Sequence, residues 1–564
     1  MTTVLPRDAP APTRRRRPRF TFWTGVTAAT ILVFVVLLLL PLFSLVISSF
    51  AGKQSDDVSL WQVYVTLFTK PYYYKALINS FVLSIAAMAL SLIIGFPLAY
   101  CVTRFNIAGK LIIRAVIVLT FVSPPFIGAY SWILLLGESG VLRRWLAAVG
   151  VTLPPIYGWF GLILVLSLQG IPFVFLMVSS ALKTVDQSIE DAAINLGRGP
   201  IAVIRTAILP LIVPGVSTAA LLVFVTAFSD FGTPAIIGQN LRVFPRLVYN
   251  EFVNETTGGN FTVASALSVV LLAVSICALL AQRGYAERRS YGQEVLRPLA
   301  VQRIGGVRRL LATAFVYAVV FVAALPIVTV VVSSFLESKH SVITGNFTIE
   351  GYLQAPRLWS SLLNTLMFAT VATLLCVVFG ALVGYVTARF RTRLASFIDL
   401  MSMMPYAVPG VVLGIAFALC FAGAPLFLGG TAAILILAYF VRRLPYSIRS
   451  TSAMLSQMGT QTEEASINLG VAPGKTFLRI TVPMMTPALM SGALLTWATV
   501  AREFNATVIL YGSRTTTMSV EVFREVLYGN FGNASVVGTV LIAVSIVPIV
   551  ILFKALGKDE DVLL

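Results

Sequence analysis

The sequence predicts an all-α polytopic membrane protein: about twelve transmembrane helices in two parallel six-helix repeats. Three observations predict it. The 564 residues are 58% hydrophobic and 11% charged, whereas a soluble domain carries about 25% charge, and mean hydropathy is +0.90. Apolar runs of about 20 residues, enough to cross a bilayer, recur along the chain. One polar stretch occurs twice without a gap, as Glu190 to Pro214 and as Glu463 to Pro487. Both copies hold Ile-Asn-Leu-Gly, at 194–197 and 467–470, and both end in a proline pair, Pro210/Pro214 and Pro483/Pro487.

Residues 1–20 are rich in Pro and Arg, with Arg14 to Arg17 in a row. This composition cannot bury a core and predicts a disordered basic N-terminus. The first apolar run is too long for a signal peptide. Its end, Pro41 to Phe50, is echoed deep in the chain by Pro326 to Phe335, so it is read as a retained helix. The predicted spans are 22–49, 77–103, 111–136, 157–181, 208–236, 261–282, 310–335, 361–388, 396–421, 429–450, 481–510 and 534–554. Prolines inside them, such as Pro124-Pro125, Pro172, Pro405, Pro409 and Pro445, are tolerated where neighbouring helices satisfy the freed carbonyls.

The spans repeat as well. Asn79 to Phe105 matches Asn364 to Phe390, and Ser229-Asp-Phe231 matches Arg502-Glu-Phe504. An even number of spans per half keeps the halves parallel. The predicted division is a first half at 21–282, a linker at 283–309 and a second half at 310–564. The net charge of +18 fits the Lys/Arg excess of cytoplasmic loops better than a nucleic-acid partner, since no soluble domain carries a basic stripe. The bias places both termini, the linker and both polar stretches in the cytoplasm. The four cysteines lie in apolar runs and read as small buried hydrophobes. His340, the single histidine, reads as a loop residue, and no metal site is expected.

Each polar stretch reads as a short amphipathic helix, a turn and an entry into the next span. Asp186 is placed to cap the first copy, with Glu190 and Asp191 in its opening turns and Glu463 and Glu464 in the second, where carboxylates favour the helix dipole. Ile189, Ala192 or Ala193, and Leu196 fall at helical spacing as one apolar stripe. Gly197 and Gly470 stop the helices, because glycine accepts the positive φ of a C′ position. A cytoplasmic partner receiving each helix in a groove explains the duplication better than a loop lying on the membrane.

These stretches resemble the "EAA" loop of permease subunits of bacterial ABC importers. Glu190, Ala192 and Gly197 match the motif, as do Glu463, Ala465 and Gly470; Ile480 fits it further on and Ala207 departs from it. The fused two-half layout resembles the ferric-iron importer permeases, as do Ser229 to Gly238, Arg502 to Thr507 and Arg442 to Tyr446. Thiamine, polyamine and aminoethylphosphonate permeases share much of this pattern. The resemblance implies a type I importer-like permease of the bacterial cytoplasmic (inner) membrane. It implies coupling helices that dock into two copies of a separate cytoplasmic ABC ATPase, and an extracytoplasmic solute-binding protein that delivers cargo. The chain itself is expected to have no catalytic residues and to bind no cofactor, with ATP used by the partner subunits. Gly470 to Thr476 is not a P-loop: three residues, not four, part its glycines.

Asp230, Glu503, Arg502, Arg442 and Arg443 fall in or near apolar spans, where each charge costs about 2.5–3.5 kcal/mol at the bilayer centre on insertion scales. Asp230 and Glu503 are equivalent and are expected to face each other across the pseudo-twofold axis. Two readings stand: these residues line or gate the path, or they form a structural ion pair with Arg442 or Arg443. Gln169 and Gly170 are the first-half counterparts of the two arginines. The rival from another class is a secondary transporter driven by an ion gradient, which leaves the duplicated loop unexplained. A channel or scaffold predicts no dependence on nucleotide.

Overall fold

Helices carry nearly all of the described chain. The computed structural model describes residues 22–50, 61–138, 140–254, 260–288, 297, 299–339, 342–355, 357–390 and 392–555. The expected disordered N-terminus, His340 and part of the linker lie outside the described residues. Nine described helices are long and apolar enough to cross a membrane, or eleven spans if each of two sharply bent helix pairs counts as one. The expected span at 429–450 is the helix Ala432–Gln457. It has the length, but Arg442, Arg443 and Arg449 interrupt its apolar run.

Several expected spans are broken, each for a physical reason. The run at 111–136 is two helices, Lys110–Val122 and Pro125–Leu136. Ser123, preceding a proline, is extended, as the clash with the proline ring demands. Its second-half counterpart breaks at Val408-Pro409, where Arg393–Ala407 and Gly410–Phe421 meet at 108°. The runs at 208–236 and 481–510 stop at Phe228 and Ala501, and the short helices Gly232–Ile237 and Thr507–Leu510 follow. The all-α expectation also missed an antiparallel hairpin, Leu336–Lys339 with Val342–Phe347.

The repeat seen in sequence recurs in the packing. Pro71–Arg104 packs on Trp159–Lys183 and Leu209–Phe228, and Leu358–Arg389 packs on Ala432–Gln457 and Thr486–Ala501. The repeated Asn79 and Asn364 have one job: Asn79 donates to the Arg242 carbonyl and Asn364 to those of Arg514 and Thr516, each at 3.0 Å. Their neighbours Ser80 and Thr365 accept the Phe244 and Met518 N–H groups at 2.7 and 2.9 Å. These bonds tether the equivalent helices Phe244–Val253 and Met518–Leu527 to the start of the long helices.

The halves exchange their first helices. Phe22–Phe50 lies against Phe261–Arg288 of its own half and against Gly410–Phe421 of the other. Gly306–Ser333 lies against Phe531–Ala555 and, across the boundary, against Pro125–Leu136. The largest of the three buried clusters therefore draws on both halves, while the other two belong mainly to the first.

Candidate functional site

The first polar stretch folds as the helix Gln187–Asn195. Asp186 caps it, accepting the Ser188 N–H at 2.8 Å. Leu196 is the last half-helical residue, and Gly197 follows at φ +77°. The Gly197 N–H donates to the Ile194 carbonyl at 2.8 Å and the Arg198 N–H to that of Ala193 at 3.2 Å, the paired bonds of a Schellman stop. The second copy, Gln461–Asn468, stops in the same way. Gly470 sits at φ +87° and donates to Ile467, and Val471 donates to Ser466. A Cβ at either glycine would touch nothing within 4 Å, so the positive φ alone calls for glycine there.

The leading glutamates point inward. Glu190 is 3% exposed and pairs with Arg104, which is fully buried at the end of Pro71–Arg104. Gln302 of the linker donates to the other Glu190 oxygen at 2.7 Å. Glu463 pairs with Arg389 at 3.0 Å and accepts the Tyr385 hydroxyl at 3.0 Å. Arg104 and Arg389 are the equivalent arginines of the repeated Thr-Arg-Phe and Ala-Arg-Phe stretches. Sequence reasoning saw both motifs and missed that they meet; the signal was that the two repeat together.

Each loop is also held from outside its own repeat unit, the first by the linker and the second by the first helix. Arg297, Ala300 and Gln302 of the linker bond to Asp186, Gln187 and Arg104 in turn, at 2.9, 2.9 and 2.7 Å. At the second loop Trp23 stacks on Tyr385 at 4.2 Å and meets Phe477 edge-on at 5.2 Å.

The outward face is apolar at its tip. Asp191, Ala192, Glu464 and Ala465 are exposed, with Ile194 at 50%, Leu196 at 82%, Ile467 at 43% and Leu469 at 85%. Ala192 and Leu196 do not face the protein, because the buried face is built on Glu190 and Ala193 in the first copy and on Glu463 and Ser466 in the second.

The intramembrane charges cluster at the helix breaks. Asp230 accepts the Gly232 and Thr233 N–H groups at 3.2 and 3.3 Å, capping the short helix that follows. Glu503 accepts the equivalent Ala506 N–H at 3.2 Å, and it also lies between Arg442 and Arg443 at 2.6 and 2.5 Å. Arg442 rests against Gly410, where a Cβ would come within 2.1 Å of its Nη1. Its counterpart Gln169 donates to Pro125 at the matching break, at 2.9 Å. Gly170, the counterpart of Arg443, lets helices cross where a Cβ would meet Ser91 Oγ at 2.3 Å. Arg502 reaches across the halves to the Phe121 and Ser123 carbonyls that end Lys110–Val122.

Asp230 and Glu503, expected to face each other across the pseudo-twofold axis, each cap the short helix that follows, and the aromatic contact across the boundary is made one residue on. Their neighbours Phe231 and Phe504 stack across the boundary, with centroids 5.8 Å apart. Phe126, Tyr249 and Phe523 complete a closed aromatic cluster around them. Among the described residues no group of three or more His, Cys, Asp or Glu is arranged to hold a metal.

Residues 87–291 and 377–559 each match the family described as "Binding-protein-dependent transport system inner membrane component". The chain is similar to the ferric transport system permease protein FbpB of Actinobacillus pleuropneumoniae, 26% identical over 562 residues, covering 96% of this chain and 79% of that one. It is 24% identical to the Fe(3+)-transport system permease protein FbpB 2 of Haemophilus influenzae, covering 87% and 92%. A putative 2-aminoethylphosphonate transport system permease, PhnV, of Salmonella typhimurium is 24% identical over 39% of this chain and 84% of its own length. A solved bacterial ABC transporter involved in import of the acidic polysaccharide alginate is 19% identical, covering 48% of this chain and 96% of that one, at TM-score 0.39.

Proposed function

The chain belongs to the binding-protein-dependent transport system inner membrane components, as a non-catalytic membrane subunit, and from that premise we propose that it is the transmembrane permease subunit of an ATP-driven ferric-iron importer. Twelve spans in two parallel halves, at 21–282 and 310–564 around the linker 283–309, form the path. Both termini and both duplicated loops face the cytoplasm. Two copies of a separate ABC ATPase dock on the loop helices, an extracytoplasmic solute-binding protein delivers cargo to the opposite face, and ATP is bound only by the ATPases.

The observation that carries this reading is the duplicated loop. Each helix buries one glutamate on an arginine and turns an Ile/Leu tip outward. A buried, paired carboxylate fixes the helix to the end of a long membrane helix. An exposed Ile/Leu tip that recurs in both copies suits burial against a partner surface. Movement of a docked partner then passes through Glu190–Arg104 and Glu463–Arg389 into Pro71–Arg104 and Leu358–Arg389. Asp191, Ala192 and Gly197, with Glu464, Ala465 and Gly470, form the docked surface, and Glu190 and Glu463 transmit. Asp230, Glu503, Arg502, Arg442 and Arg443 hold the broken spans that bound the path, and the aromatic cluster between the halves closes it.

Ferric iron as cargo is supported by the named relatives that span nearly the whole chain, whereas the aminoethylphosphonate relative spans 39% of it. The test is uptake of radiolabelled ferric iron in cells expressing this chain with its neighbouring ATPase and binding protein. Uptake that is vanadate-sensitive and needs both partners is expected. Uptake by the chain alone, collapsed by an uncoupler, would place it instead among gradient-driven transporters.

A further inference from the structure

The face opposite the duplicated loops carries a pocket in the first half. It opens beside the start of Pro71–Arg104 and encloses about 310 Å³. Tyr72, Gln239, Arg242 and Arg246 line it. The Arg242 guanidinium lies 4.7 Å over the Tyr72 ring, and Arg246 donates to the Gln239 carbonyl at 2.7 Å. Neither arginine forms an ion pair among the described residues. The acid on the same helix, Glu251, accepts instead from Tyr73 at 3.4 Å.

Three further features mark this pocket as more than packing. Gln239 is held at φ +39°, a left-handed conformation that non-glycine residues rarely adopt and that concentrates at functional sites. In the register set by Phe244 and Met518 the equivalent second-half positions are Ser513, Thr516 and Val520, so the duplicated fold requires neither this strain nor these two charges. Burial also pushes the Arg246 guanidinium below its ordinary value, the mark of a cation short of a counter-charge. Two guanidiniums that line one pocket with no ion-pair partner among the described residues ask for an anion, and their planar forks suit a carboxylate or a phosphate.

We propose that this pocket receives a surface Asp or Glu of the extracytoplasmic solute-binding protein, and so fixes which lobe of that protein docks on the first half. This docking rests on the importer function proposed above. A protein carboxylate is favoured over a lipid phosphate by position. The helix that carries Arg246, Phe244–Val253, also carries Tyr249, whose ring lies 4.4 Å from Phe231 in the aromatic cluster between the halves. The pocket therefore adjoins the boundary between the halves, and a load placed on it reaches the closed cluster through one helix.

The test uses the full chain with its ATPase in proteoliposomes, titrated with the solute-binding protein encoded beside it. Arg242→Glu with Arg246→Glu should raise the binding-protein concentration for half-maximal ATPase stimulation at least tenfold and leave basal hydrolysis unchanged. Arg242→Gln alone, at an exposed position, should give a smaller shift in the same direction. A Glu→Lys or Asp→Lys change on the binding protein should restore the double variant. An unshifted curve for both variants beside normal wild-type stimulation overturns the docking. So does a shift seen in phosphatidylglycerol vesicles and absent in phosphatidylcholine vesicles, which assigns the pocket to a lipid headgroup. Absence of any stimulation in the wild type overturns the importer reading and the docking together.

Discussion

Under each duplicated helix a carboxylate has been taken out of water and given an arginine, and the two members of such a pair are not separable. Removing one partner of a buried ion pair costs about 3–5 kcal/mol, because the other charge is left uncompensated. Glu190→Ala and Glu463→Ala should each lower the thermal unfolding midpoint in detergent on that scale. Asp191→Ala, one residue away and exposed, should stay within about 0.5 kcal/mol of the parent. If all three shift alike, the inward and outward roles assigned to neighbouring acids are wrong. The glycine stops are simpler. Gly470→Ala forces a Cβ into a left-handed conformation at about 1–2 kcal/mol with no steric clash, so the loss should be similar at Gly197→Ala.

At the scale of elements, breaks rather than continuous spans define the interior. The hydropathy pattern finds a run of apolar residues and cannot see that Ser229 to Phe231 or Arg502 to Ala506 leaves the helix. The capping bonds of Asp230 and Glu503 are made by residues that a span count treats as intruders. The proline breaks were more legible, since Pro124-Pro125 and Pro409 stand in the sequence, though the 108° bend at the second depends on what packs around it. Arg442, lodged against Gly410, is part of that packing. Gly410→Ala should displace the guanidinium, cost about 1–3 kcal/mol as overpacking does, and lower uptake more than assembly. Glu503→Leu leaves Arg442 and Arg443 unpaired and should prevent stable assembly in size-exclusion chromatography. Arg442→Met and Arg443→Met added to Glu503→Leu should recover assembly, as buried ionic triads replaced by apolar residues often do. Recovery of uptake as well would show that the charges serve structure alone.

For the whole molecule, the sequence carried the duplication, the loop helices and their glycine stops, because repetition and turn chemistry are local. It did not carry the exchange of first helices between halves or the Phe231–Phe504 stack, because those are contacts between distant segments with no spacing signal. The stack closes the boundary between halves, so Phe231→Ala with Phe504→Ala should open it and give ATP-independent leak of cargo from loaded proteoliposomes; tight vesicles would remove the cluster from the gate. The linker and the exchanged first helix tie the halves together at the two loops, through Gln302 at one and Trp23 at the other. Motion at the loops and motion of the halves should then be one event. Spin labels at Leu196→Cys and Leu469→Cys, measured as a distance distribution in the complex with the ATPase, test this most directly. ATP with vanadate should move the two labels closer together than in the nucleotide-free complex. An unchanged distribution, in a complex whose ATPase is bound and active, would contradict the coupling of these loops to transport.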